Sequence, residues 1–278
     1  MTTQSREVAV VTFERDRATD RSDSVATEEP LEIRVRTARG VPFSVAITMR
    51  TPGHDGELAA GFLWGEGLLN NPSQLVREDA GGPLQPGGFR NVITLTLAGD
   101  ELPPMDDTAR RFYMTSSCGV CGKASLEAIE SRRPFEFVRR EPIWKSATIT
   151  TLSDTLRAAQ ETFERTGGLH AAGLFDTDGI LLTIREDVGR HNAVDKIVGA
   201  AVRDRTLPLS RSLLFVSGRA SFELVQKAVM AGIPALAAVG APSSLAVSLA
   251  RDAGLTLLGF VRGERFNIYA GDERITRR

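Results

Sequence analysis

Three short and almost wholly apolar runs in the C-terminal half constrain this chain most: residues 212–216, 235–239 and 255–261. A strand without polar alternation must be covered on both faces, which demands helices on either side of a sheet. The sequence supplies them. Residues 222–231 and 245–253 are helical patterns set between the runs, and residues 192–201 place Ala193, Val194, Ile197 and Val198 on one face. Leu152, Leu156, Ala159 and Phe163 mark another helix, stopped by Gly167 and Gly168. Residues 171–175 and 180–184 flank the turn Asp176-Thr177-Asp178-Gly179 and read as a hairpin. The expectation is an α/β domain over residues 151–278.

The N-terminal half reads as a smaller α+β domain over residues 29–131. Residues 31–36 alternate apolar and charged, and Arg39-Gly40 turns that strand into a second over 41–48. Asp55 is placed to cap a helix whose stripe Leu58, Ala59, Phe62 and Leu63 faces a core. His54 and Glu57 at its start are either a ligand and proton shuttle or a capping cluster. Residues 83–89 form a Gly/Pro loop before a strand over 91–97. Ahead of this domain, residues 1–28 carry a β-like run over 8–13 and then solvated, charged text, so they are expected to be poorly ordered or loosely attached. Residues 132–150, with Pro134, Pro142 and repeated arginines, read as an exposed connector.

Both cysteines lie in Ser116-Ser117-Cys118-Gly119-Val120-Cys121-Gly122-Lys123. The run from Lys123 has the pattern of an opening helix, whose free N–H groups and dipole, with Lys123, favour a thiolate. Three chemistries use such a pair. Zinc needs four ligands, and only His54, His170 and His191 are there to complete a set. A thioredoxin-like dithiol needs its motif near the start of a domain, whereas this one lies mid-chain. Sulfur relay needs a thiolate that accepts sulfane sulfur as a persulfide and a neighbour that assists its release. Two inert buried cysteines suit the Gly and Ser flanks least.

With 42% hydrophobic and 25% charged residues the chain has the composition of a soluble protein. No secretory leader and no run of membrane length is seen, so a cytoplasmic protein is expected. A net charge of -1 argues against broad attraction to nucleic acid or membrane. Only Lys123, Lys145, Lys196 and Lys227 are lysines, so arginine carries nearly all the positive charge and is available for bidentate phosphate recognition.

In open α/β sheets ligands collect beyond the carboxyl ends of the strands. Two junctions there have anion-binding character, Ser217-Gly218-Arg219 and the segment leading to Ser243-Ser244; each serine is otherwise a helix cap. A third cluster, residues 185–196, packs ionisable side chains ahead of a helix and sets Arg190, His191 and Asn192 beside Gly189. Phe260, Val261, Arg262, Gly263, Glu264, Arg265, Phe266 and Asn267 join two strands; an aromatic there could stack on a base with arginines on phosphates, or both aromatics belong to the core.

Arg50 to Ala59, Ser116 to Gly122, Asp187 to Lys196, Ser217-Gly218-Arg219 and Arg262 to Tyr269 together resemble the FdhD family of formate dehydrogenase accessory proteins, in family order from about residue 30 onward. The resemblance implies a sulfurtransferase that takes sulfur from a cysteine desulfurase and delivers it to the molybdenum or tungsten bis(guanine dinucleotide) cofactor before insertion into the formate dehydrogenase apo-enzyme. It also implies a cytidine-deaminase-like, three-layer α/β/α second half, a homodimer, and a guanine-nucleotide pocket that GDP could mimic. Cys118 would then be the persulfide carrier and Cys121 the residue that receives or resolves the sulfur. Two other classes stay open. A zinc-dependent deaminase-like hydrolase would need a His-x-Glu and a proline directly before the cysteine pair, where this chain has His54-x-x-Glu57 and Ser117. A non-catalytic assembly chaperone would use the thiols for structure alone.

Overall fold

A computed structural model describes residues 4–102, 134–138 and 140–276 of the chain. Cys118 and Cys121 lie outside the described residues. The chain opens on a ribbon of two antiparallel strands, β1 (Ser5–Glu14) and β2 (Arg17–Ala26), closed by Arg15 in a left-handed conformation. A solvated loop was expected where β2 runs. The ribbon is exposed on both faces, so no burial alternation marks its strands, and backbone pairing alone defines them. At its base Thr27 N donates to Gln4 O at 2.9 Å, and the Thr162 hydroxyl donates to Gln4 Oε1 at 2.9 Å.

The expected hairpin is β3 (Glu29–Thr37) with β4 (Phe43–Arg50), followed by α1 (Asp55–Gly65), β5 (Leu75–Leu84) and β6 (Arg90–Leu97). These strands form a sheet in the order β4-β3-β6-β5, with β3 and β6 parallel. Leu31, Ile33 and Val35 are fully buried, as their alternation with Glu32, Arg34 and Arg36 requires. The edge strand β5 has no such signal, because charges and Gly81-Gly82-Pro83 interrupt it. Asp55 does not cap α1. The N-cap is His54, held at φ 58 with no side-chain cap bond, and Arg50 takes the Asp55 carboxylate through Nε and Nη2, both at 3.0 Å.

After the undescribed segment come β7 (Trp144–Lys145), α2 (Ser146–Ala158), α3 (Glu161–Thr166), β8 (His170–Phe175), β9 (Leu181–Asp187) and α4 (Arg190–Arg203). The chain ends with β10 (Leu213–Val216), α5 (Phe222–Met230), β11 (Ala235–Ala238), α6 (Ser244–Ala253), β12 (Thr256–Arg262), β13 (Arg265–Ala270) and β14 (Ile275–Thr276). One helix was expected across residues 152–163; it breaks at Ala159-Gln160 into α2 and α3. Nor is the connector exposed throughout. Trp144 is fully buried, β7 pairs with β14, Phe135 stacks on Trp64 at 6.3 Å, and the buried Arg274 donates to Val138 O and Glu141 O. Its prolines and arginines conceal apolar anchors that only tertiary contact reveals.

Six strands form the second sheet, in the order β13-β12-β11-β10-β8-β9, with the apolar trio β10, β11 and β12 parallel at its centre. Ile149, Leu152 and Leu156 of α2 cover one face against Phe175, Phe215 and Leu258. On the other face, α4, α5 and α6 build a core that continues through α1 to Leu31, Ile33 and Leu95 of the first sheet. The α/β reading therefore holds, with helices on both faces of the larger sheet. The two halves meet where α1 and α4 cross with backbones touching. A Cβ on Gly61 would sit 2.6 Å from Asp195 C and 2.8 Å from Gly199 N.

Candidate functional site

β10, β11 and β12 end at one edge of the sheet, and the antiparallel β8 and β9 bring His170 and Asp187 to the same edge, opposite each other. The loops beyond these ends lie side by side. Gly240 N donates to Gly218 O at 2.9 Å, Ser243 N to Ala220 O at 3.0 Å, and Phe260 N to Gly240 O at 3.1 Å. The fit is tight at Gly240, where a Cβ would lie 3.0 Å from Arg219 Cγ and 3.1 Å from Gly218 O.

Asp187 organises the floor. It is fully buried, and Oδ2 meets Lys196 Nζ at 2.7 Å and accepts from Thr51 N at 3.1 Å. Oδ1 accepts from Gly189 N at 2.8 Å and Asn192 Nδ2 at 2.9 Å. Lys196 is equally buried and also donates to Thr51 O and Glu186 O, while Asn192 Nδ2 donates to Met49 O. The Arg50 to Asp55 and Asp187 to Lys196 segments, distant in sequence, thus interlock through a buried ion pair whose groups are all hydrogen-bonded. Of the predicted site residues, Asn192 spends its side chain here.

Arg190 and His191 begin α4 at the mouth. His191 Nε2 lies 2.8 Å from Glu223 Oε2 and 3.2 Å from Ser221 Oγ, and the hydrogen bond from His191 holds the Glu223 carboxyl below the usual range. Burial, followed by the charges of Arg190 and His191, holds His170 below the usual histidine range. Arg190 Nε is buried with no hydrogen-bond partner among the described residues. One helical turn below, Asp195 meets Lys227 at 2.7 Å, a second rung between α4 and α5.

The remaining predicted residues divide by role. Ser217 Oγ accepts from Ala171 N at 2.9 Å and Ser243 Oγ caps α6 by accepting from Ala246 N at 3.2 Å, which leaves each hydroxyl its O–H donor. Gly218 lies against His170 and Arg190, and a Cβ there would make ordinary contact with His170 Nδ1 at 3.5 Å. Arg219, Ser244, Glu264, Arg265 and Asn267 are exposed, Gly263 turns the β12/β13 hairpin at φ 53, and Arg262 Nε donates to Val239 O. Val261 is fully buried in the core beneath α2, and Phe266 packs on the same core. Phe260 differs. It is 38% exposed and held at φ 55, a strained conformation for an aromatic residue, beside the Gly240 loop.

Glu223 carries no signal in the sequence, and the partners of Thr51 and Arg185 are remote in the chain. The Arg185 guanidinium grips Glu57 at 2.6 and 2.8 Å, with His54 Nδ1 at 3.2 Å, which makes the His54/Glu57 pair part of an ion network. Burial alone would push the Glu57 carboxyl up, but Arg185 and then His54 outweigh it and hold the group at about 2. A depressed carboxylate contributes stability that is full above about pH 4.5 and fades as pH falls toward 2. Glu57→Gln is therefore expected to cost on the order of 3 kcal/mol at neutral pH, with the difference from wild type shrinking below pH 4. Urea unfolding at several pH values checks this; a pH-independent difference would contradict it.

The model of the FdhD/NarQ family matches residues 26–276 of this chain. The chain belongs to that family. A relative from Streptomyces avermitilis is 53% identical over 261 residues, covering 93% of this chain and 91% of its own length, and bears the name sulfur carrier protein FdhD. A Mycobacterium tuberculosis relative of the same name is 50% identical over 266 residues, covering 94% of this chain and 95% of its own. A Desulfotalea psychrophila protein provisionally described as a formate dehydrogenase accessory protein superposes with a TM-score of 0.75 at 26% identity, covering 99% of this chain and all of that one. The family model leaves out most of the β1/β2 ribbon. Among the described residues no helix is long and apolar enough to cross a membrane.

Proposed function

We propose that this protein is a sulfur carrier that accepts sulfur from a cysteine desulfurase and passes it to the molybdenum or tungsten bis(guanine dinucleotide) cofactor destined for formate dehydrogenase. The observation that carries the reading is the Cys118-x-x-Cys121 pair in a chain more than half identical, over nearly its whole length, to relatives named sulfur carriers. In the loading step the Cys118 thiolate attacks the terminal sulfur of the desulfurase persulfide. The desulfurase cysteine leaves as a thiolate and Cys118 keeps the sulfur as a persulfide. In delivery Cys121 attacks Cys118 Sγ, forming an internal disulfide and expelling sulfide, which the metal of the cofactor takes up. A cellular thiol reductant then restores both cysteines.

The edge of the larger sheet suits the nucleotide portion of that substrate. Arg190, whose buried Nε has no partner among the described residues, and His191 stand at a helix N-terminus, where an anion meets the guanidinium, the imidazole and free N–H groups. Gly218 lies beside Arg190, and Phe260 offers an exposed ring to a base. Arg219, Arg262 and Arg265 are positioned for phosphate contacts by exposure and charge. GDP serves as a soluble probe of this half of the reading. A homodimer is part of it.

Cys118→Ala is expected to abolish formate dehydrogenase activity when it replaces the wild-type protein in cells, with the protein still folded and abundant. Full activity from that variant would remove the carrier role and favour assembly chaperoning.

A further inference from the structure

The β1/β2 ribbon is ten residue pairs long, anchored at its base, and exposed on both faces, with Val11 57% and Phe13 72% accessible. An isolated two-stranded ribbon is marginal in water, and an unguarded strand edge recruits another strand. Its two edges differ. β2 carries Arg17, Asp20, Arg21 and Asp23 along its length, charges that discourage further pairing. β1 runs Val8-Ala9-Val10-Val11-Thr12-Phe13 without a charge. Among the described residues the other sheet edges are charged at β5, β9 and β13; apart from the two-residue β14, β4 is similarly bare from Phe43 to Met49, and there Asn192 already donates to Met49 O.

From this we infer that β1 pairs antiparallel with β1 of a second copy, joining two ribbons into one four-stranded sheet and forming a dimer contact. A two-fold axis normal to a sheet matches faces, so it passes through a residue position. Centred on Val10, it sets Ala9 opposite the partner's Val11, Val8 opposite the partner's Thr12, and Arg6 opposite the partner's Glu14. Centring on Ala9 places Arg6 opposite the partner's Thr12, and centring on Val11 places Val8 opposite the partner's Glu14 and moves Arg6 and Glu7 past the end of the strand to the partner's turn. The register centred on Val10 keeps the uncharged run Val8 to Thr12 against itself and pairs the charges at its two ends, with Glu7 opposite the partner's Phe13 as the one mismatch. Arg6 is half-exposed and shares a pairing with Glu29 at 2.5 Å, which leaves its guanidinium within reach of a second carboxylate.

The test is the oligomeric state of the full chain by sedimentation at tens of micromolar. Val10→Asp and Val10→Lys each put like charges face to face on the axis, and each is expected to weaken self-association at least about 100-fold. An equimolar mixture of the two variants is expected to recover the dimer as a heterodimer. A monomeric wild type, an undiminished Val10→Asp dimer, or two monomeric variants that fail to associate on mixing would each overturn the inference. The ribbon alone carries it, so sulfur loading on Cys118 stands or falls separately.

Discussion

Gly199→Ala is expected to destabilise the protein by about 3 kcal/mol or more, a large share of the roughly 5–15 kcal/mol that holds a typical domain folded. The new Cβ would lie 2.6 Å from Glu57 C and 2.7 Å from Gly61 N. Those atoms are backbone, so no rotamer change relieves the overlap; the axes of α1 and α4 must separate. That separation opens the layer where Leu58, Leu63, Val198 and Val202, all buried, tie the smaller sheet to the larger one. Gly61→Ala meets the same obstacle from the other helix, against Asp195 and Gly199. Gly81→Ala is the control, since its Cβ would stand 3.6 Å from Val92, an ordinary contact, and the cost there stays within about 1 kcal/mol. Urea unfolding midpoints of the three variants decide it, and equal behaviour of Gly199→Ala and Gly81→Ala would contradict the close crossing.

Lys196→Met is expected to cost about 3 to 5 kcal/mol, because it leaves the Asp187 carboxylate buried without its counter-charge. Neither side chain of the pair is exposed to solvent. Lost with the cation are its bonds to Thr51 O and Glu186 O, which hold the Arg50 to Asp55 segment against the start of α4. The effect reaches the proposed site, since Arg190 and His191 follow directly on Asp187, Val188 and Gly189. GDP binding is therefore expected to weaken in whatever fraction of the variant remains folded. Lys145→Met, at an exposed position, serves as the comparison and is expected to change stability by no more than about 0.5 kcal/mol. A Lys196→Met protein as stable as Lys145→Met would show that the pair contributes nothing.

How far the sequence revealed this molecule depended on whether a signal was local. The central strands were legible because burial on both faces leaves only apolar residues, and α4, α5 and α6 because apolar residues recur every turn. β2 and β5 were not, since one lies in an exposed ribbon and the other on an edge, where charge and glycine are tolerated. The Arg50 to Asp55 and Asp187 to Lys196 segments stood out by their density of polar groups, yet nothing in either said that they bind each other. Asn192 and Ser217 read as ligand residues, and each also has a partner within the frame, Met49 O and Ala171 N, that no local pattern announces. Val261 was included by adjacency to Phe260, and strand alternation sends it to the core.

Sulfur loading tests the central claim most directly. The purified protein is incubated with a cysteine desulfurase and cysteine, its intact mass is measured, and the modified peptide is mapped. A carrier gains roughly 32 Da, one sulfur atom, removable by thiol reductant and located on Cys118. A protein that gains no sulfur while its thiols are free and reactive is not a carrier, and its service to formate dehydrogenase would have to be assembly alone.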